Sequence, residues 1–361
     1  MKHQKLASIT VRAFLSIRSA EVRLHDLNVL VGANGAGKSN FIASLGMLGR
    51  IVDGELELYV GLSGGARALR NVGAQSLEQI FLEVEFEAEG YSAALTAAAG
   101  DALIFADEAI WDNQGTVDLG RGHRETRLTA NEPLWSAQAR PLIEALRGCR
   151  VFHFHDTSQS AAVKQQTFAS DNLSLHPDAG NLAAILLRLR QGESAHYERI
   201  VGTIRQVAPF FRDFVLEPEL APDRLRLRWR QQGSDTVFPA DAFSDGTLRF
   251  ICLATLLGQP ELPGLVVLDE PELGLHPFAI VQLAEMLRTA SVESQVLIAT
   301  QSVTLMNQFQ LDDLIVVERR DGASVFDRPD PDRLVDWLAD YSLGELWEKN
   351  LLGGRPRPER A

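Results

Sequence analysis

Residues 32–39 read GANGAGKS and lie directly behind the apolar run LNVLV, residues 27–31. This G-x-x-x-x-G-K-S pattern restricts the fold more than any other stretch of the chain. Its amides can enclose an anion only if a buried strand anchors one end and a helix begins at the lysine. Gly32, Gly35 and Gly37 let the backbone turn its N–H groups inward. Lys38 brings a point charge to the outer phosphates of a nucleotide, and the Ser39 hydroxyl suits Mg²⁺. The candidate nucleotide-binding set is therefore Asn34, Gly35, Ala36, Gly37, Lys38, Ser39 and Asn40.

The rest of the composition narrows the setting. A chain of 361 residues exceeds a usual single domain, so one elaborated domain or two lobes is expected. The net charge of −13 argues against a generally basic nucleic-acid coat, while leaving room for a local basic groove. The two cysteines, Cys149 and Cys252, offer neither a disulfide framework nor zinc spacing, which points to a reducing cytoplasm. The N-terminal stretch MKHQKLASITVRAF is broken by charges and does not read as a secretory leader. No run of about 18 apolar residues is present, so no membrane span is expected.

Along the chain, ASITVRAF and AEVRLHDLNVLV alternate apolar and polar residues, which predicts two or three strands feeding the loop. A helix is expected from Ser39 to about Leu48, a Gly-rich basic loop over 61–73, and a half-buried strand over 80–89. Residues 91–150 are mixed, with a helical segment interrupted at Pro141. VFHFH (151–155) reads as a strand, 180–211 as two helices breaking near Gly192, and LRLRWR (225–230) as another strand. From 243 onward helix and strand alternate, the pattern of a parallel sheet covered by helices. Two amphipathic helices over 332–350 and a disordered tail complete the expectation.

The run LVVLDEP (265–271) is an apolar strand ending in Asp269 and Glu270. In a phosphate-loop protein such a pair suits a Mg²⁺ water shell and an attacking water, respectively. Ser244, Asp245 and Gly246 open a helix whose exposed N–H groups form an anion site. With these motifs in this order, the chain resembles the ABC-type ATPases of the SMC, RecF and overcoming-lysogeny-defect group, closest to their compact members. The resemblance implies an α/β fold: an ABC-type P-loop NTPase head with a strand-rich N-terminal lobe, a parallel sheet flanked by helices, and a helical insert. It further implies that the S-x-G segment of one subunit covers the γ-phosphate held by another. ELGLHP (272–277) looks like the D-loop of that group. Gln301, with Thr300 and Ser302, stands at its switch position, where a glutamine can make contacts but cannot titrate near neutral pH. The group's Q-loop glutamine has two candidates, Gln79 and Gln159, both readable as surface residues.

The resemblance implies ATP and Mg²⁺ as cofactors, with catalytic roles for Lys38, Glu270 and Gln301 and metal ligation through Ser39 and Asp269. Expected boundaries are an N-terminal lobe at 1–90, an insert at 91–180, a helical and C-terminal lobe at 181–320, and C-terminal helices with a tail at 321–361. No heptad run separates Ser39 from Ser244, so a coiled-coil tether is not expected. The residues after Ser302 are too few for a Toprim nuclease, so a nuclease or other effector would be a separate chain. An ATP-dependent homodimer, with DNA as a possible partner, completes the implied picture. Competing readings are a regulatory nucleotide sensor acting on a protein, a transporter ATPase subunit, and a hexameric remodeller. Arg67 and Arg70 suit a triphosphate or a solvated loop; Arg224, Arg226, Arg228 and Arg230 suit a phosphate backbone or salt bridges. His153, His155 and Asp156 suit a metal or a polar network.

Overall fold

The computed structural model describes residues 4–71, 73, 78–130, 136–217 and 223–354. Along them run β1 (Leu6–Phe14), β2 (Ile17–Arg23), β3 (Leu27–Val31), α1 (Lys38–Val52), α2 (Leu56–Leu62) and α3 (Ala66–Leu69). Then come β4 (Ile80–Phe86), β5 (Gly90–Ala98), β6 (Ala102–Asp112), β7 (Gly115–Gly120), α4 (Ser136–Arg147), β8 (Cys149–Phe152) and β9 (Thr167–Phe168). Helices α5 (Leu182–Gly192) and α6 (Ser194–Val207) precede β10 (Phe211–Phe214), β11 (Arg224–Leu225), β12 (Arg228–Gln231) and β13 (Val237–Pro239). The chain continues through α7 (Asp245–Leu257), β14 (Leu265–Asp269), α8 (Pro277–Ala290), β15 (Gln295–Thr300), α9 (Val303–Met306), β16 (Leu314–Arg320) and β17 (Ala323–Asp327). It closes with α10 (Pro331–Leu338) and α11 (Leu343–Glu348). None of these helices is long and apolar enough to cross a membrane.

Two compact units divide the chain. The first comprises residues 1–151, 263–267 and 294–361, and the second comprises 152–262 and 268–293. The first unit holds an antiparallel sheet in the order β2-β1-β4-β5-β6-β7. Period-two alternation builds it: in β4, Ile80, Leu82, Val84 and Phe86 are buried while the intervening side chains face outward. The mixed stretch after residue 90 thus supplies three strands to this sheet before the helical segments. Its polar anchor is Glu108, which is fully buried and accepts from Tyr91 Oη at 2.7 Å and from the Arg127 amide at 3.0 Å. His123 Nε2 lies 2.8 Å from the same carboxylate.

The other large sheet runs β17-β16-β3-β15-β14-β8. β3 lies parallel to both β15 and β16, with Val31 opposite Thr300, and β17 returns antiparallel along β16. Its central strands are buried along their whole length, in keeping with β3, which is apolar except for Asn28. The Gln295 side chain works as a substitute strand: Oε1 accepts from the Leu6 amide at 2.6 Å, and Nε2 donates to the Leu6 carbonyl at 2.9 Å. Helix α1 packs Phe41, Leu45 and Leu48 into the same core, with Phe41 and Phe326 rings 5.1 Å apart.

The second unit carries α5 to α8 and a small sheet, β10-β12-β13, closed by Trp229 stacked on Phe243 at 4.4 Å. Several expectations change here and in the first unit. Segment 61–73 is not one loop, because α2 ends in it and α3 forms a helical turn within it. Helix α4 continues through Pro141. Arg224–Arg230 is not one strand: β11 pairs with β9 and β12 pairs with β10 and β13, so the four arginines do not share one sheet face. β8 ends at Phe152, which takes His153 and His155 off the strand. The tail beyond Gly354 lies outside the described residues.

Burial pushes the thiols of Cys149 and Cys252 each up to about 12, so the reactive thiolate is scarce near neutral pH. A thiol-reactive chromophore is therefore expected to titrate neither cysteine in the native protein and both after denaturation. Rapid native labelling would contradict this packing.

Candidate functional site

In the first unit the phosphate loop is bent by Gly35 at φ +77 and Gly37 at φ +113, values that side chains other than glycine adopt only with strain. At Gly37 space is the second constraint, since an added Cβ would overlap Ser324 Oγ and crowd Ser16 Oγ. Those two hydroxyls lie 2.6 Å apart, and Asn40 Nδ2 donates to Ser16 Oγ at 2.6 Å. The turn between β1 and β2, the strand β17 and the first turn of α1 thus meet behind the loop. Ser16 and Ser324 were not legible as site residues, because no local pattern joins positions so far apart in sequence.

Lys38 is buried, and its Nζ donates to the Gly32 carbonyl at 2.8 Å and the Ala33 carbonyl at 3.2 Å. The ammonium is therefore held over the loop at the start of α1, where the helix dipole also favours an anion. Asn34, Gly35 and Ser39 are exposed, while Ala36 and Gly37 are buried. Because Val31 pairs with Thr300, the phosphate loop and Gln301 leave adjacent parallel strands at the same end. Thr300 is buried and its Oγ1 accepts from the Ser302 amide at 2.9 Å; Ser302 then caps α9, leaving Gln301 exposed at the break. Arg67 and Arg70 are tied locally. The Arg67 amide donates to Asp101 at 3.1 Å, and Arg70 Nη2 donates to the Glu78 carbonyl at 3.0 Å.

The second unit gathers the other candidates. Ser244 caps α7, its Oγ accepting from the Thr247 amide at 3.2 Å, with Asp245 in the first turn. Gly246 packs so tightly that an added Cβ would overlap the Gly274 carbonyl, which fixes the start of α7 against the 272–275 turn. Arg249, one turn further along α7, donates through Nη1 to the Leu273 carbonyl at 3.0 Å and through Nη2 to the His155 carbonyl at 2.8 Å. Nothing in the motif pattern marked Arg249, whose role comes from backbone carbonyls on two distant segments.

Asp269 ends β14 half-buried, and its Oδ1 is a buried oxygen with no hydrogen-bond partner among the described residues. A buried carboxyl oxygen left in that state is costly unless a cation or ordered water meets it, so this oxygen suits Mg²⁺. Glu270 follows at φ +41, an unusual backbone for a residue with a side chain and one that concentrates at functional sites. His153 lies close enough to Asp269 for their charges to interact. It is exposed by surface area, yet desolvation of its ring is the leading cause of a lowered imidazole pKa, with the His155 charge next and Asp269 opposing. Among the described residues no cluster of three or more His, Cys, Asp or Glu side chains forms a metal site, so His153, His155 and Asp156 are not gathered into one. Gln79 stands exposed just before β4, and Gln159 in a loop of the second unit, where its carbonyl accepts from Gln165 Nε2 at 2.9 Å.

Solved structures share this architecture. An Smc head bound to the C-winged helix domain of ScpA matches at 16% identity and a TM-score of 0.55, covering 92% of this chain and 99% of that one. An Smc head domain with an extended coiled coil, bound to the C-terminal domain of ScpA and derived from Pyrococcus furiosus, matches at 16% identity and a TM-score of 0.57, covering 93% and 99%. The fold is that of an ABC-type P-loop NTPase head. Residues 27–307 match the AAA_21 family, an AAA domain described by reference to the AbiEii toxin of type IV TA systems, and the chain belongs to that family. No curated protein matches the chain.

Gly37→Ala combines left-handed strain with overlap at Ser324, together about 2 kcal/mol or more. The expected outcome is at least a tenfold loss of nucleotide affinity by titration calorimetry. Wild-type affinity in this variant would contradict the loop geometry.

Proposed function

We propose that this protein hydrolyses ATP to ADP and phosphate with Mg²⁺, and that it works as an ATP-driven dimerising switch. The observation that carries the reading is the buried, unpartnered Asp269 Oδ1 immediately before the left-handed Glu270. In a chain with a phosphate loop, this is the arrangement that a metal-bound triphosphate and an attacking water require. Asn34, Gly35, Ala36 and Gly37 supply loop amides, with Asn40 at the helix start, and Lys38 neutralises the outer phosphates. Ser39 and Asp269 would hold Mg²⁺, which would supply positive charge to neutralise the phosphates. Glu270 orients the water and accepts its proton. Gln301 contacts the γ-phosphate or that water through its amide.

Ser244, Asp245 and Gly246 belong to the same reading as the half-site offered to a second subunit. Support comes from their packing. The start of α7 is locked to the 272–275 turn by Gly246 and Arg249, so its amides are arranged in advance. A lone subunit is then a poor catalyst, and ATP joins two copies until hydrolysis releases them. The setting we favour is cytoplasmic DNA maintenance or anti-phage defence, with DNA or a separate effector protein as the downstream partner. The Smc heads of similar fold are bound to ScpA domains, which supports a protein partner by analogy.

Complementation tests the shared site. Lys38→Ala abolishes nucleotide binding in its own loop, and Ser244→Arg blocks the half-site offered to the partner. Each variant alone is expected to be inactive. An equal mixture should recover about a quarter of wild-type ATPase activity, since half of a random set of two-fold dimers carries one intact site. A mixture as inactive as its components would sink the shared site, and retained ATP affinity in Lys38→Ala would overturn the loop assignment.

A further inference from the structure

The last described residues, Gly353 and Gly354, lie on the phosphate loop. Both are left-handed, at φ +84 and φ +85. The Gly354 carbonyl accepts from the Ala33 amide at 3.0 Å, and the Gly354 amide donates to Glu318 Oε1. Glu318, on β16, is buried and also accepts from Arg320 Nε at 2.9 Å. A side chain at Gly354 would be crowded as well as left-handed: an added Cβ would stand 3.0 Å from Trp347 Nε1, 3.3 Å from Val316 Cγ1 and 3.6 Å from Gly32 Cα. Two left-handed glycines in succession thus lay the backbone flat against the first residues of the loop.

What this contact controls follows from peptide geometry. The Gly32 carbonyl and the Ala33 amide belong to one planar trans peptide, so they point in opposite directions. Lys38 Nζ bonds the carbonyl at 2.8 Å, and Gly354 bonds the amide from the other side. The orientation of this single peptide is therefore set from both sides, and with it the place where Lys38 holds its charge. The same C-terminal segment is tied further up: the Gly344 amide donates to Asn307 Oδ1 at 2.7 Å, directly behind α9, the helix capped by Ser302 after Gln301. One strap, Gly344–Gly354, is thus bonded behind both elements that leave the adjacent strands β3 and β15.

We propose that Gly354 and Glu318 are positioning residues for nucleotide binding, acting through the Gly32–Ala33 peptide to arrange Lys38 before the nucleotide arrives. This rests on the reading that the loop binds ATP. Affinity depends on the strap, whereas the acid–base chemistry assigned to Glu270 does not. By linkage, a bound nucleotide protects the strap in return.

The test measures ATP affinity by calorimetry, KM and kcat for hydrolysis, and melting temperature in four full-length proteins. Gly354→Ala and Glu318→Leu are each expected to weaken ATP binding and raise KM about tenfold with kcat within twofold of wild type. Glu318→Gln keeps an acceptor for the Gly354 amide and is expected to stay within about twofold of wild-type affinity. Amide exchange over 344–354 should slow when ATP is added to wild type and respond less in Gly354→Ala. Wild-type affinity in both Gly354→Ala and Glu318→Leu, or equal losses in Glu318→Leu and Glu318→Gln, would overturn the positioning role while leaving ATP binding intact. If wild type itself binds no ATP, the functional reading falls and this inference falls with it.

Discussion

The pairing of β3 with β15 underlies everything in the first unit that bears on a nucleotide. Val31 and Thr300 lie opposite each other in parallel strands buried from end to end, so the phosphate loop and Gln301 emerge together. A slip of one residue would turn every side chain of β3 to the opposite face and carry the loop away from Gln301. Asn28 on β3 resists such a slip, its buried Nδ2 donating to the Val296 carbonyl of β15 at 3.3 Å, while Gln295 ties β15 to β1 through two hydrogen bonds. The loop is therefore a product of sheet register first and of glycine spacing second.

Each unit carries candidate residues on a framework that is rigid by itself. In the first, Gly37 closes on the hydroxyls of Ser16 and Ser324, and Lys38 is held by loop carbonyls. In the second, Gly246 closes on the Gly274 carbonyl, and Arg249 ties α7 to the backbone at Leu273 and His155. Both units use the same device, a glycine where a backbone or hydroxyl oxygen comes within contact distance. Preorganisation of this kind matters because ordering a loop at the moment of binding would consume affinity. The strained Glu270 and the unpartnered Asp269 oxygen are the exceptions, and they stand at the end of the acidic strand where a metal and a water would relieve them.

Much of this was legible in the residues. The loop, the acidic strand end and the helix opened by Ser244 are local patterns whose chemistry depends on neighbours in sequence, and the resemblance they support agrees with the fold and family found. What escaped depends on long-range packing. Arg224–Arg230 alternates like one strand because Leu225, Leu227 and Trp229 are all buried, yet β11 and β12 join different partners. Residues 90–120 hid three strands because Ala-rich, Gly-broken stretches have weak intrinsic preference and are fixed by successive pairing, β5 on β4, β6 on β5 and β7 on β6. Ser16, Ser324, Glu318 and Gly354 meet the phosphate loop, and Arg249 fixes the start of α7, only through contacts between distant segments. No spacing rule records those contacts.

We propose that ATP joins two copies of this chain through a site neither completes alone. Glu270→Gln should bind ATP but stall before hydrolysis, so the joined state accumulates. Its mass by light scattering should double when ATP and Mg²⁺ are added, and fall back to the monomer value without nucleotide. A Glu270→Gln protein that is saturated with ATP and still has the mass of one chain would contradict the account.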